Sequence, residues 1–335
     1  MKAPGKITVV VYLLGLAGAS LFTVLLIRQG ASQVVTAFAT AGWYLGAVVA
    51  FHFAVPVLLD TTAWWVLFPR ADRLPLSKLY WMRWIGESVS TLVPSAAVGG
   101  DIVRARLVAI NGVPLPVAAA TVLVDLTLGV FTQAGFTILG VVLLVGVSGE
   151  RHFVGPTLIG TAIGVVGVAG FYFVQRLGLF RFIGKMIAKL ASSPEWQSLV
   201  ESGENLDRAV RDLYARPRRL LLCCLATSAS LILNSGEIWI ALYALGLPAT
   251  FVHAVILQSM VLTVRSAAFA VPSGIGVQEG GYLVIGKLLG IPGEAAFALS
   301  LVARVRELSF GVPGLILWQW IEGRRLWRAR TAAER

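Results

Sequence analysis

Residues 115–147 run for 33 positions with a single ionisable side chain, Asp125. Hydrocarbon offers no water to backbone N–H and C=O groups, so a run of this kind is read as a helix whose bonds are internal. At a rise of about 1.5 Å per residue it exceeds the ~30 Å core of a bilayer. Further apolar runs cover 7–27, roughly 43–68, 155–174, 219–245 and 293–321, each long enough to span. The chain is 57% hydrophobic and 13% charged, with a mean hydropathy of +0.80, which excludes a soluble domain of this size. The first run follows Lys2 and Lys6 and is too long for a signal-peptide core, so it reads as a retained helix. The two cysteines, Cys223 and Cys224, are adjacent and give no disulfide framework.

A net charge of +11 would point to nucleic acid in a soluble protein. Here the basic residues fall in short connections, as the positive-inside rule requires, and no nucleic-acid partner is expected. Lys2 and Lys6 precede the first run, Arg28 alone follows it, and Arg70, Arg73, Lys78 and Arg83 follow the second. Arg151 is alone in 148–154, nine basic residues fill 175–219, none lies in 246–250, and five arginines end the chain. Placing both termini in the cytoplasm satisfies every one of these counts.

That solution leaves 84–114 on the cytoplasmic side and 252–292 on the outer side. Both are too apolar for loops and too interrupted by Gly and Pro for clean spans. Irregular backbone at membrane depth needs protein or a water-filled cavity around it, so each reads as a re-entrant hairpin. The two segments are also related in sequence. Shifted by 178 positions, residues 94–124 lie on 272–302 without a gap, with eight identities in 31 positions. Pro94-Ser95 falls on Pro272-Ser273, Asp101 on Glu279, and Gly112-Val113-Pro114 on Gly290-Ile291-Pro292. The expected fold is an all-α polytopic membrane protein with about six transmembrane helices and two re-entrant hairpins in inverted repeats. It forms one membrane domain: repeat one spans 7–147, repeat two spans 155–321, and 322–335 is a basic cytosolic tail. Paired Gly/Pro-interrupted segments in corresponding places are the best sequence pointer to a transporter site.

Residues 175–218 form the only sizeable polar stretch. Trp196, Leu199, Gly203, Leu206, Val210 and Leu213 recur at helical spacing opposite Glu201, Glu204, Asp207 and Arg211. This pattern predicts a cytosolic amphipathic hairpin lying on the membrane surface.

The hairpins carry the candidate site. In the first, Gly99 and Gly100 permit unusual dihedrals and Asp101 is placed to cap a half-helix over 102–110. Arg104 and Arg106 in its opening turns would flank a positive helix end suited to a lipid phosphate. The alternative is an Asp101 that only caps and arginines that snorkel to the interface. In the second hairpin, Pro272, Gly276 and Glu279 mirror the element, with Glu279 as the cap. Asp125 and Arg304 lie near mid-span at nearly equivalent repeat positions, and an Asp125–Arg304 pair is expected, with Arg304–Glu307 on one helix face as the rival. Glu237 and Arg265 are the other ionisable residues in spans, with a structural pair as their plain reading. His52 and Asp60 belong to no cluster with metal spacing, and no metal or cofactor is expected. Trp43, Trp64-Trp65, Trp318 and Trp320 fall at span ends and read as interface belts. No P-loop, nucleophile elbow, Rossmann glycine string or HExxH motif is present.

The pattern L-x-P-(x)4-GGD-x-x-R over Leu92–Arg104, with PSGIGVQEGG over 272–281, resembles the flippase-like family that includes the transmembrane domain of lysylphosphatidylglycerol synthases. The likeness covers roughly 5–325. Within it, VLVDLTLGV and the string from Val277 to Leu308 look most like members associated with hopanoid biosynthesis. The resemblance implies lipid movement across a bacterial inner membrane, or service to a lipid pathway, with membrane lipids and lipid-biosynthesis proteins as partners. It carries Gly99, Gly100, Asp101, Arg104, Pro272, Gly276 and Glu279 over as motif positions. The chain lacks the family's large soluble aminoacyl-transferase domain, which argues against synthase activity. A lipid transporter, a non-transporting subunit of a biosynthetic complex and a membrane-embedded head-group transferase are the three readings. The last has no convergent catalytic constellation to support it.

Inverted repeats predict opposite access. In a background without Cys223 and Cys224, a cysteine at Ala96 should react with an impermeant thiol reagent from the cytoplasmic side and one at Ile275 from the outside. Labelling of both from one face would exclude the inverted arrangement.

Overall fold

The computed structural model describes residues 42–92, 99–148, 194–268, 271 and 274–333, with scattered positions between 155 and 173. The first apolar run, Pro94, Pro272 and most of 155–174 lie outside these residues. Among the described residues the chain is helical: α1 Tyr44–Ala54, α2 Pro56–Leu67, a 3-10 turn at Arg70–Asp72, α3 Leu76–Leu92, α4 Gly99–Ile110 and α5 Leu115–Ser148. There follow α6 Pro194–Tyr214, α7 Pro217–Ala244, α8 Phe251–Ala267, α9 Val277–Leu288 and α10 Gly293–Ala333. Three stretches are long and apolar enough to cross a membrane, Tyr44–Leu67, Leu115–Val147 and Pro217–Ala244, and they match three of the runs read from sequence. The chain is a multi-pass membrane protein. The expected span at 293–321 is helical too, but Arg304, Arg306 and Glu307 interrupt its apolar surface.

The helix boundaries follow the sequence repeat. α9 begins 178 residues after α4, and α10 begins 178 residues after α5. Both short helices end in a glycine with positive φ, Gly112 at 97° and Gly290 at 72°, two residues before a proline. A side chain resists that left-handed conformation and proline cannot continue a helix, so the same chemistry stops the chain twice.

The chain divides into two compact units, neither of them a contiguous half. One contains the described part of 1–52 with Trp81–Val103 and Glu237–Arg335; the other contains Phe53–Tyr80 and Arg104–Gly236.

In the first unit, α3 is the packing surface. A Cβ on Gly100 would lie 2.0 Å from the Gly86 carbonyl oxygen, so α3 and α4 meet backbone to backbone. Gly100 is helical, and what it supplies is close approach rather than the unusual dihedral expected of it. On α10, Gly311 and Gly314 admit Leu92 and Ser88 of α3 in the same way. Pro313 lies between them and cannot donate to the carbonyl four residues back, which loosens the ladder there. Trp84 of α3 donates its indole N–H to the Phe310 carbonyl at 2.9 Å, satisfying backbone in this opened turn.

In the second unit, α2 packs against α5 through Trp64, which is fully buried. Its place in the core corrects the expectation of an interface residue; Trp43 and Trp320 are exposed, as an interface belt requires. Arg73 and Arg219 both donate to the Phe68 carbonyl, at 3.2 and 2.8 Å, and so neutralise the C-terminal end of α2. α6 packs against α5, and Val210 and Leu213 of its apolar stripe are buried, as is Asp207 from the opposite set.

Gly100→Ala should therefore lower the thermal midpoint in detergent by the equivalent of about 1–3 kcal/mol, the usual range for overpacking. Gly129, whose added Cβ meets nothing within 4 Å, serves as the control, and Gly129→Ala should unfold close to wild type. Equal behaviour of the two variants would contradict the backbone contact between α3 and α4.

Candidate functional site

The entry to α9 is built by glycine. Gly276 has φ 81° and is the residue before the helix, a conformation that turns its N–H toward the first turn. Glu279 closes a capping box there, its Oε2 accepting from the Gly276 N–H at 2.6 Å. Glu279 therefore does cap this helix, from the third helical position rather than from the position before it. Its carboxylate is fully buried, and the other oxygen accepts from Arg304 Nε at 2.8 Å.

From Arg304 an ion-pair network runs through the first unit. Arg304 Nη1 donates to Glu307 Oε2 at 2.9 Å, one helical turn away. Glu307 Oε1 accepts from Arg265 of α8, which also donates to Gln278 of α9 at 2.9 Å. Arg306 points from another face of α10 and binds Glu237 of α7 through Nε at 3.0 Å. Its Nη2 is 3.9 Å from Glu307, which links the two branches. Beyond Glu237 the network reaches His52 of α1, whose Nδ1 is 2.6 Å from Glu237 Oε1 and whose Nε2 is 3.6 Å from Glu87 of α3. Arg306 Nη1 lies 3.2 and 3.3 Å from the two ring nitrogens, and the Phe310 ring meets the imidazole edge-on. Glu279, Glu307, Glu237 and His52 are buried, and Arg304 and Arg306 are half-buried. The ends of the network, Arg265 and Glu87, have side chains 29% and 32% exposed.

A small pocket of about 30 Å³ opens beside the network. Val48, Ile238, Leu299 and Val302 supply apolar wall, and Glu237, Arg306, Gln258 and Tyr282 supply polar wall. Arg306 and Glu237 thus belong both to the ion-pair chain and to the cavity surface. Apolar walls with a few placed polar groups are the usual make-up of a ligand site.

In the second unit Asp125 is held by Arg104, whose Nη2 is 2.6 Å from Oδ2. The Arg104 guanidinium is 4% exposed and stacks 4.2 Å from the centre of the Trp64 ring, while Trp64 donates to Thr121 at 3.2 Å.

These contacts revise the sequence expectations. Asp125 is bound by Arg104, and Arg304 is held by Glu279 and Glu307. The rival Arg304–Glu307 contact forms. Glu237 and Arg265 do not pair with each other but sit in opposite branches. The helix expected over 102–110 begins at Gly99, so Gly99 and Asp101 lie in its first turn. Arg104 is buried against Asp125, and Arg106 is exposed. His52, Glu87, Gln278 and Tyr282 were not singled out, and Arg306 was noted only for its different face. The signal for His52 was present, because an ionisable residue inside an apolar run is a candidate by default. Among the described residues no group of His, Cys, Asp and Glu is arranged to hold a metal ion.

The family described as lysylphosphatidylglycerol synthase TM region matches residues 10–314. No curated protein and no solved structure matches the chain. With nearly its whole length matched, the chain belongs to that family.

Removing one member of a desolvated pair is more harmful than removing both. Arg104→Met should cost about 3–5 kcal/mol of stability in denaturant titrations, and Arg104→Met with Asp125→Leu should recover a large part of it. Arg104→Lys should fall between, because an ammonium keeps the charge but not the planar stack on Trp64. Additive single effects would show that the pair is not coupled.

Proposed function

We propose that this member of the lysylphosphatidylglycerol synthase transmembrane-region family moves a polar-headed lipid across a bacterial inner membrane. The observation that carries the reading is the buried ion-pair network that borders the pocket in the first unit. Charges are costly inside membrane helices and are retained mainly along substrate and ion pathways. Here four carboxylates, three guanidiniums and a histidine lie on helices of a membrane protein, and two of them form pocket wall. The charged part of the pocket wall suits a polar head group, and its apolar part suits the first carbons of the attached chain. The head-group contacts are therefore assigned to Arg306, Glu237, Gln258 and Tyr282. Arg104 could reach a phosphate only by leaving Asp125.

The transport cycle is assigned to two inverted repeats rocking around this site, with re-entrant hairpins at α3–α4 and α8–α9 and both termini cytoplasmic. Support comes from the 178-residue offset shared by the sequence repeat and the helix boundaries. A hopanoid-related lipid fits the resemblance of the Val277–Leu308 string, and a phospholipid fits the charged wall. Of the two, the phospholipid is favoured, because Arg306 and Glu237 have no role in selecting an uncharged polycycle.

The test is lipid movement in vesicles. Purified protein reconstituted with a trace of fluorescent phospholipid should bring inner-leaflet probe to the outer face faster than protein-free vesicles, as read by membrane-impermeant quenching. Arg306→Gln should slow it about tenfold, the worth of one weakened charge-assisted hydrogen bond of ~1.5 kcal/mol. Absence of protein-dependent movement with anionic, zwitterionic and hopanoid probes alike would refute transport and leave the role of a subunit in a lipid-synthesis complex.

A further inference from the structure

The ion-pair network contains one group that titrates near neutral pH. Glu87, Glu237, Glu279 and Glu307 face Arg265, Arg304 and Arg306, and Arg83 acts on Glu87, so a proton on His52 adds a charge to the network. A charge added to a buried network must be met by the groups around it, and histidine is the side chain that gains one in this range.

The surroundings of His52 make the two charge states structurally different. On α7, Glu237 Oε1 is 2.6 Å from Nδ1, a distance that places a proton on that nitrogen in either state. On α3, Glu87 lies 3.6 Å from Nε2, with Arg83 one turn earlier on the same helix. On α10, Arg306 Nη1 is 3.3 Å from Nε2, with Glu307 and the Phe310 ring beside it. Tyr282 of α9 joins Arg306 and Glu237 at the pocket wall. Arg306 Nη1 is nearly equidistant from the two ring nitrogens, at 3.2 and 3.3 Å, and so lies against the face of the ring, where a neutral imidazole tolerates a cation. The imidazolium repels Arg306 and has a second N–H to give to Glu87. Protonation therefore exchanges the Arg306 contact for a Glu87 contact.

Position supplies the route. The Glu87 side chain is about a third exposed, His52 is buried, and Glu237 lines the pocket. We propose that His52 is a proton-binding site that takes a proton from the Glu87 carboxyl, leaving Glu87 as carboxylate, and that its charge state sets the position of Arg306 at the pocket. Resting on the lipid-transport reading, this makes a proton the coupling ion of the cycle.

The direct test reads the imidazole itself. The chain has three histidines, so His152→Gln with His253→Gln leaves His52 as the only one. In that protein, labelled with 15N-histidine and kept in detergent, the ring resonances should pass from the neutral to the imidazolium pattern between pH 8 and pH 5. In Arg306→Gln on the same background the imidazolium should persist to higher pH, because a repelling cation has been removed. Vesicles carrying entrapped pH dye, with an imposed pH gradient, should acidify through wild-type protein, and Glu87→Gln should slow that entry. A ring that keeps one charge state from pH 5 to pH 8 would overturn the proposal, even if lipid moves. Titration and proton entry without any lipid movement would uphold the proton site and reject the transport reading. Lipid movement that accelerates with the gradient and slows in Glu87→Gln supports both.

Discussion

Glu279 is the residue on which the first unit depends. It is fully buried on a helix of a membrane protein, and a lone carboxylate there would face a large desolvation cost. Both of its oxygens are used, one by the Gly276 N–H and the other by Arg304. The first contact starts α9, and the second fastens α9 to α10. A helix terminus and a tertiary contact are thereby secured by one carboxylate, and neither of its bonds can be lost without exposing the other oxygen to apolar surroundings. From this point outward the ion pairs of the network run from one helix to the next.

The two segments related by the 178-residue sequence offset use the same device with the signs exchanged. In one, the short helix α9 supplies the acid and the long helix α10 the base, as Glu279 and Arg304. In the other, the short helix α4 supplies the base and the long helix α5 the acid, as Arg104 and Asp125. Each pair joins a 12-residue helix to the helix that follows it. The surroundings then separate them. Arg104 is covered by the Trp64 ring, a closed environment suited to holding two helices together. Arg304 instead opens into a chain of charges that reaches a pocket and two partly exposed ends. One copy is furnished as a fixed joint and the other as a site.

Amphipathic architecture joins the network to lipid chemistry. Arg306 presents guanidinium to a cavity whose remaining walls are largely aliphatic, which matches a molecule with a charged end and an apolar body. The tight glycine contacts of α3 with α4 and α10 have a separate role, bringing Glu87 and the opened turn of α10 close enough for Trp84 to bind the Phe310 carbonyl.

The sequence by itself determined the three long apolar helices, the start of the short helix near Asp101 and the offset that relates 94–124 to 272–302. Those properties follow from local rules: apolar length, a positive-φ glycine before a proline, an acid in a first turn. It also singled out Asp125, Glu279 and Arg304, because an ionisable group in an apolar run must have a partner. Which partner was decided only by tertiary structure. Asp125 lies 21 residues from Arg104 and Glu237 lies 185 residues from His52, and no helical or strand period connects such positions. The same holds for Trp64, whose place near a span end reads as an interface until α5 covers it. Hydropathy registers only the cost of burying a charge; the geometry of packed helices determines which opposite charge is near enough to offset it.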